Sequence, residues 1–282
     1  MLFVEYLFNM VEIGLIRAEG NGLVKKRGNT MNSEAKFSGK STLYDHYRPG
    51  YPKRFFKELI SEYSGSNDHF VIADIGAGTG IFTELAANIG TNIIAIEPND
   101  DMRSILKARM EDFKQVTCLD ASAENTGIAD NSVDLITVAQ AFHWFEADAF
   151  KKECRRILRK NGQVMLIWNS RDHTSQLNSE TAKISKRYCP NFQGFSGGIN
   201  IDRLGLQHFF TNGYEHYAVS NPLKMNKEHF IGRNLSASYS PQKGDPFYDE
   251  FVEELGFLFD KYSKDGNIIV PNDLHVYVGA VI

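Results

Sequence analysis

The sequence predicts an α/β fold: a doubly wound, mostly parallel seven-stranded sheet with an antiparallel edge strand and a helical lid. Three observations predict it. From Phe70 to Trp168, short apolar runs alternate with helix-like stretches, the rhythm of β-α-β units in a parallel sheet covered on both faces. The first run, residues 71–75, leads directly into Gly76-Ala77-Gly78-Thr79-Gly80, with glycine at every second position. After Trp168 the rhythm breaks, and the late strand patterns at 214–219 and 274–281 suit an antiparallel addition.

The elements follow in order. Residues 71–75 read as a buried strand, 79–88 as a helix and 92–96 as a second strand. Pro98-Asn99-Asp100-Asp101 supplies turn and cap chemistry for a helix to about residue 110. Residues 116–119 form a third strand. The turn-like Ala129-Asp130-Asn131-Ser132 announces a fourth at 133–138, with Asp134 as a structural turn acid. An amphipathic helix over 147–159 stops at Asn161-Gly162, before a fifth strand at 163–168. A polar stretch at 169–176 then leads to a helix around 181–188, a Gly- and Asn-rich loop at 190–200 and a helix over 247–262. Residues 31–282 read as one domain: a core of about 70–170, a lid and substrate region of about 171–262 and a last strand at about 273–281. Residues 1–30 read as an N-terminal extension outside the core fold. Val4, Leu7, Phe8, Val11 and Leu15 would share one helix face there, and Met31 opens a stretch that reads as a natural start. Glu5, Glu12 and the lack of leading basic residues do not fit a secretory signal.

Composition narrows the class. The chain has 282 residues, 42% of them hydrophobic and 23% charged, as in soluble globular proteins. A net charge of -4 argues against a dedicated nucleic-acid binder. Cys118, Cys154 and Cys189 form no CxxC pair, and the histidines form no HExxH. This suggests free thiols in a reducing compartment and no metal site. No apolar run approaches the roughly 18 residues a membrane span needs. The reading is a cytoplasmic monomer or homodimer without a nucleic-acid or membrane partner.

In open α/β sheets, ligands bind at the carboxyl ends of the strands where strand order reverses, and the glycine loop belongs there. Gly76 allows a tight turn, Gly78 removes a Cβ from a ligand's path and Gly80 lets the helix pack closely. Glu97 follows about twenty residues on, at the end of the second strand, where an acid receives ribose hydroxyls. A dinucleotide fingerprint would be GxGxxG and a Walker loop would carry Gly-Lys-Ser/Thr. Here the spacing is GxGxG with Ile81 next, which suits a nucleoside without a pyrophosphate.

"DIGAGTG" followed by "AIEPNDDM" resembles the first two motifs of class I S-adenosylmethionine-dependent methyltransferases, and "ASAENTGIADNSVDLITVAQAFHW" resembles the next two. "YDHYRPGYP" and "FHWF" are similar to the small-molecule branch, type 11, that includes trans-aconitate methyltransferase-like proteins. The resemblance covers about residues 37–282. "SASYSP" and "GDPFYDEFVEELGFLFD" share it less specifically.

The resemblance implies a Rossmann-like fold, S-adenosyl-L-methionine as cofactor and a small-molecule acceptor. It implies that Asp74, Gly76, Ala77, Gly78 and Gly80 surround the methionine part of the cofactor. Glu97 would take the ribose hydroxyls, with Pro98 and Asn99 bordering the adenosine. The stretch 121–124 would lie beside the adenine. Ser122 stands where many relatives have an acid; the Ala123 amide, or Glu124, could serve instead. Gln140 and Ala141 would meet the methionine end, and Tyr44 and Arg48 would fold over the cofactor with the arginine at its carboxylate. After the fourth strand, His143 reads as a proton acceptor or a buried structural histidine, and Trp144 as an acceptor wall or core residue. Asn169, Arg171 and Asp172 share the rim after the fifth strand. Arg171 or Arg233 could orient an acidic substrate. A carboxylate acceptor would need no general base, only a cation to hold it. The other reading is a non-catalytic protein that binds or senses S-adenosylmethionine.

Overall fold

The structure is a computed structural model that describes residues 47–195 and 204–281. The expected extension at 1–30 and Tyr44 lie outside the described residues. Helix α1 (Lys53–Ser64) leads to β1 (Val71–Ile75), α2 (Ile81–Ala87), β2 (Asn92–Ile96), α3 (Asp100–Arg109), β3 (Val116–Leu119) and β4 (Val133–Ala139). A 3-10 turn, Phe142–Trp144, precedes α4 (Ala147–Ile157) and β5 (Leu158–Arg171). The second half comprises α5 (Gln176–Tyr188), α6 (Leu206–Phe209), β6 (Glu215–Ser220), β7 (Leu223–Met225) and α7 (Lys227–Leu235). It ends with α8 (Tyr248–Tyr262), β8 (Ile268–Val270) and β9 (Asn272–Gly279).

Seven strands make one sheet in the order β3-β2-β1-β4-β5-β9-β6. Neighbours from β3 to β5 are parallel. The antiparallel strand is β9, which pairs with β5 on one side and β6 on the other. It therefore lies one place in from the edge, and β6 closes the sheet. The chain runs outward from β1 to β3, then returns to place β4 on β1's other side. The carboxyl ends of β1 and β4 thus flank a crevice.

Side-chain alternation explains why the central strands are apolar throughout. Ala73, Ile75, Ile136, Val138, Val164, Leu166 and Trp168 face one core, with Phe150, Cys154 and Ile157 of α4. Ile72, Leu135, Met165 and Ile167 face the other, with Phe56, Leu59 and Ile60 of α1 and Phe82 and Leu85 of α2. Phe150 has no exposed surface; a side chain of that size contributes about 2–3 kcal/mol by burial.

Several boundaries differ from the pattern, among them the start of α5 at Gln176 and the bounds of β9. Helix α4 ends at Ile157, and Leu158 is already extended and paired with Val133. Leu135 pairs next with Gln163, so Asn161 (φ 71°) and Gly162 occupy a bulge in β5 instead of stopping the helix. Helix α2 starts at Ile81, because Gly80 is left-handed. Elements β7, β8 and α7 carried no clear pattern in the sequence. They join α5 and α8 in a separate apolar cluster that includes Leu177, Met225, Phe230, Phe251, Leu255 and Ile268.

Candidate functional site

The loop after β1 is fastened to the end of β2. The amides of Gly76 and Ala77 both donate to the Ile96 carbonyl at 2.9 Å. The Gly78 amide donates to Glu97 Oε2 at 2.8 Å, and the Asn99 amide to Oε1 at 2.9 Å. Burial pushes the Glu97 carboxyl up, while the two amides and Arg103 act against that. Asn99 also caps α3 by accepting from the Met102 amide at 3.0 Å, as Pro98-Asn99-Asp100-Asp101 suggests. Arg103 was not foreseen. Its guanidinium donates to the carbonyls of Glu97 and Pro98 at 2.9 Å and pairs with Asp120 at 3.1 Å and with Asp100. It clamps the turn that presents Glu97.

The glycines differ in what they permit. A Cβ on Gly76 would meet Ala141 Cβ at 2.6 Å, and one on Gly80 would meet Leu106 Cδ1 at 2.6 Å. Both mark close packing. Gly78 has φ +59°, and among the described residues only Met102 Sδ lies near its Cβ position, at 3.9 Å. The middle glycine faces open space.

Asp74 lies beneath the loop. It is fully buried and accepts from Thr83 Oγ1 at 2.6 Å and Thr137 Oγ1 at 2.9 Å. Both carboxylate oxygens are engaged, so Asp74 joins β1, α2 and β4 below the crevice. Gln140 ends β4 with φ 60°, and its Nε2 donates to the Asn169 carbonyl at 3.2 Å. Asn169 in turn accepts from Asn221 at 3.0 Å and Asn272 at 3.3 Å, and donates to the Gly50 carbonyl at 3.4 Å. Four segments meet at this one residue.

On the β3 side, Leu119, Asp120, Ala121, Ser122, Asn125, Thr126 and Gly127 line an open depression. Thr126 anchors it, donating through its amide and hydroxyl to Glu153 of α4. Glu124 is already used: its carboxylate accepts from the Glu146 amide at 2.9 Å. Asp134 has the structural role expected, accepting from the Val71 amide at 2.8 Å.

The third part is cationic. Arg171 is buried, donates through Nη2 to Asn234 Oδ1 at 3.0 Å and lies 3.9 Å from the centre of the Phe195 ring. Arg233 donates to Asn272 Oδ1 at a long 3.4 Å. Nη1 of each is buried and has no hydrogen-bond partner among the described residues. Tyr239 and Arg48 act on Arg171, and Arg171, Arg48 and Tyr239 act on Arg233. Burial and Arg48 lower Arg171 to about 10, and burial, Arg171 and Arg48 push Arg233 well down from its ordinary value. Tyr239 is held up by burial against the pull of the three arginines. Its ring packs on Phe192 at 4.9 Å. His143, in the 3-10 turn beside Trp144, is lowered to about 4 by burial and by Arg48, and its buried Nδ1 has no partner. The structure thus brings Arg48, His143, Arg171 and Arg233 into one neighbourhood. Spacing gave no reason to include Tyr239 or Asn234; "SASYSP", which holds Tyr239, was the available signal.

Residues 73–166 match the family model described as a methyltransferase domain. Over these residues the chain is similar to methyltransferase domains. An uncharacterised methyltransferase-like protein of Schizosaccharomyces pombe is 36% identical over 153 residues, covering 54% of this chain and 58% of that protein. An uncharacterised methyltransferase of Mycobacterium bovis is 34% identical over 173 residues, covering 61% and 65%. The chain therefore spans between about half and two thirds of the curated relatives it matches. Among solved structures, one from Anaeromyxobacter dehalogenans, named as a candidate type II methyltransferase, superposes with a TM-score of 0.59 at 18% identity. It covers 84% of this chain and 99% of that one. The YcgJ protein of Bacillus subtilis gives 0.51 at 16% identity, covering 80% and 98%. These two show the fold.

The loop after β1 fits S-adenosylmethionine. Open space at Gly78, the Glu97 carboxylate and a buried Thr79 Oγ1 without a protein partner lie on one short stretch. Among the described residues no group of side chains could hold a metal, and no helix is long and apolar enough to cross a membrane. Asp74 beneath the loop gives the chain a pH signature. Burial raises its pKa from 3.8 to about 6, against the two threonine bonds. The folded state therefore holds a proton that the unfolded chain releases, and this contribution to stability is present below pH 3.8 and lost as pH rises through about 6. Asp74→Asn cannot ionise. In urea unfolding it is expected to gain on the native protein by up to about 3 kcal/mol between pH 4 and 6.5. A difference that does not change with pH would show that Asp74 titrates normally.

Proposed function

We propose that the chain transfers a methyl group from S-adenosylmethionine to a small-molecule carboxylate. When bound, S-adenosylmethionine supplies a methyl carbon attached to a sulfonium, open to in-line displacement. Glu97 would accept the two ribose hydroxyls, with Pro98 and Asn99 at the adenosine and Ser122 and Ala123 beside the adenine. Gly76, Ala77, Gly78, Gly80 and Gln140 would border the methionine part, above Asp74. Arg48, with Tyr44 from the preceding segment, would serve the cofactor's carboxylate. Arg171 and Arg233 would hold the acceptor's carboxylate, and Trp144 would wall its site.

The observation that carries this reading is the pair Arg171 and Arg233, each with a buried Nη1 that lacks a partner among the described residues. Cations buried without acids are costly, and an anionic ligand relieves that cost. His143 supports the choice of acceptor. A base whose conjugate acid has a pKa of about 4 is about 6 units too weak for a phenol or amine near 10, a deficit of about 8 kcal/mol. A carboxylate near 4 is already ionised and needs only placement and exclusion of water. In this reading His143 positions the acceptor and moves no proton.

Small carboxylates, phenols and amines incubated with methyl-labelled S-adenosylmethionine will test it. Label is expected on carboxylates alone, with a rate that stays flat from pH 7 to 9. Label on a phenol or amine at a rate that climbs with pH would overturn the carboxylate assignment.

A further inference from the structure

Gly232 sits inside α7, next to Arg233 and two residues before Asn234, which holds Arg171. A Cβ there would lie 2.4 Å from Tyr47 Cζ, 2.5 Å from Cε1 and 2.6 Å from Cε2. The Tyr47 ring therefore rests on the bare backbone of the helix. Its edge meets the His229 ring at 5.1 Å, and its hydroxyl donates to Glu228 Oε1 at 3.3 Å. One face of α7, formed by Glu228, His229 and Gly232, receives this side chain.

The residues after Tyr47 are tied elsewhere. The Gly50 carbonyl accepts from Asn169 Nδ2 at the end of β5, at 3.4 Å. The Tyr51 ring packs on Phe56 and Phe82 at 5.9 and 5.4 Å, in the sheet's own core. Residues 47–51 thus run as a strap from the lid helix to the sheet. Arg48 lies between these anchors and acts electrostatically on His143, Arg171 and Arg233.

We infer that Gly232 is a positioning residue: a socket for the Tyr47 ring whose occupation places Arg48 over the cofactor's carboxylate, so that strap and lid helix must dock for the donor to be held fully. The inference rests on the assignment of Arg48 under Proposed function. Glycine in a helix interior normally costs about 1 kcal/mol relative to alanine. At this position that cost is offset by what the missing side chain admits.

The test is Gly232→Ala in the full chain. The substitution improves α7 as a helix, so a residue with no socket role predicts an equal or higher melting temperature and no other change. The socket predicts two further effects. Hydrogen exchange in peptides spanning residues 47–56 speeds up at least about tenfold as the strap lifts. The Kd for S-adenosylhomocysteine rises about tenfold or more, the loss expected for one charge-assisted hydrogen bond. The Kd for 5′-methylthioadenosine, which lacks the amino-acid carboxylate, stays unchanged. Tyr47→Phe keeps the ring and behaves as the native protein, whereas Tyr47→Ala behaves as Gly232→Ala.

Native exchange rates in Gly232→Ala overturn the docking. Equal weakening of both nucleosides overturns the positioning of Arg48. Failure of the native protein to bind S-adenosylhomocysteine overturns the function proposed above, and exchange alone then decides the docking.

Discussion

Gly78→Val is expected to yield a folded protein whose affinity for S-adenosylhomocysteine is reduced at least about 100-fold. Two effects act together. At φ +59° a β-branched residue is strongly disfavoured, so the loop must shift. Any shift also moves the amide that donates to Glu97 Oε2 at 2.8 Å, and so moves the carboxylate. The valine methyls would project into the space left open beside Met102. The neighbouring glycines are poorer probes. Side chains at Gly76 and Gly80 collide with Ala141 and Leu106 and would test packing instead. Circular dichroism establishes the fold, and calorimetric titration measures the Kd. A folded Gly78→Val protein that binds within threefold of the native value would show that the donor sits elsewhere.

Arg233→Met is expected to make the protein more stable and less active. Among the described residues the guanidinium has one long hydrogen bond, a buried Nη1 without a partner, and a second arginine acting on it. Methionine fills similar volume without a charge to desolvate. The gain should be about 1–3 kcal/mol in urea unfolding. The half-saturating concentration of the carboxylate acceptor should rise by about 100-fold, as befits a lost charged contact in a dry site. The Kd for S-adenosylhomocysteine should stay within twofold. A loss of stability would place Arg233 among structural residues. A larger effect on the donor than on the acceptor would reverse its assignment.

Legibility in the sequence followed the range of the interactions. Strands β1 and β2 were visible residue for residue, since central parallel strands are apolar on both faces and end at turns. The loop at Gly76-Ala77-Gly78-Thr79-Gly80 and its partner Glu97 were legible because local chemistry and a fixed separation define them. The Asn99 cap was legible for the same reason. The start of β5 was not, because Leu158 is extended only through its pairing with Val133 and the bulge at Asn161. Elements β7 and β8 have three residues each and owe their existence to the cluster around Met225 and Phe251. Arg171 and Arg233 were named from the sequence as anion holders. Nothing in it said that they would meet, with Tyr239 between distant segments. Gly232 was silent, since its meaning depends on an aromatic ring 185 positions earlier in the chain.

The apolar cluster under α5, α7 and α8 is separate from the two that sandwich the sheet. Substitutions within it are absorbed by their own neighbours and do not disturb the strands that shape the Gly78 loop. Over evolutionary time the two halves can therefore diverge at different speeds. Changes can accumulate in that cluster while the strands around the Gly78 loop are inherited unchanged, so long as the face of α7 that receives Tyr47 is kept.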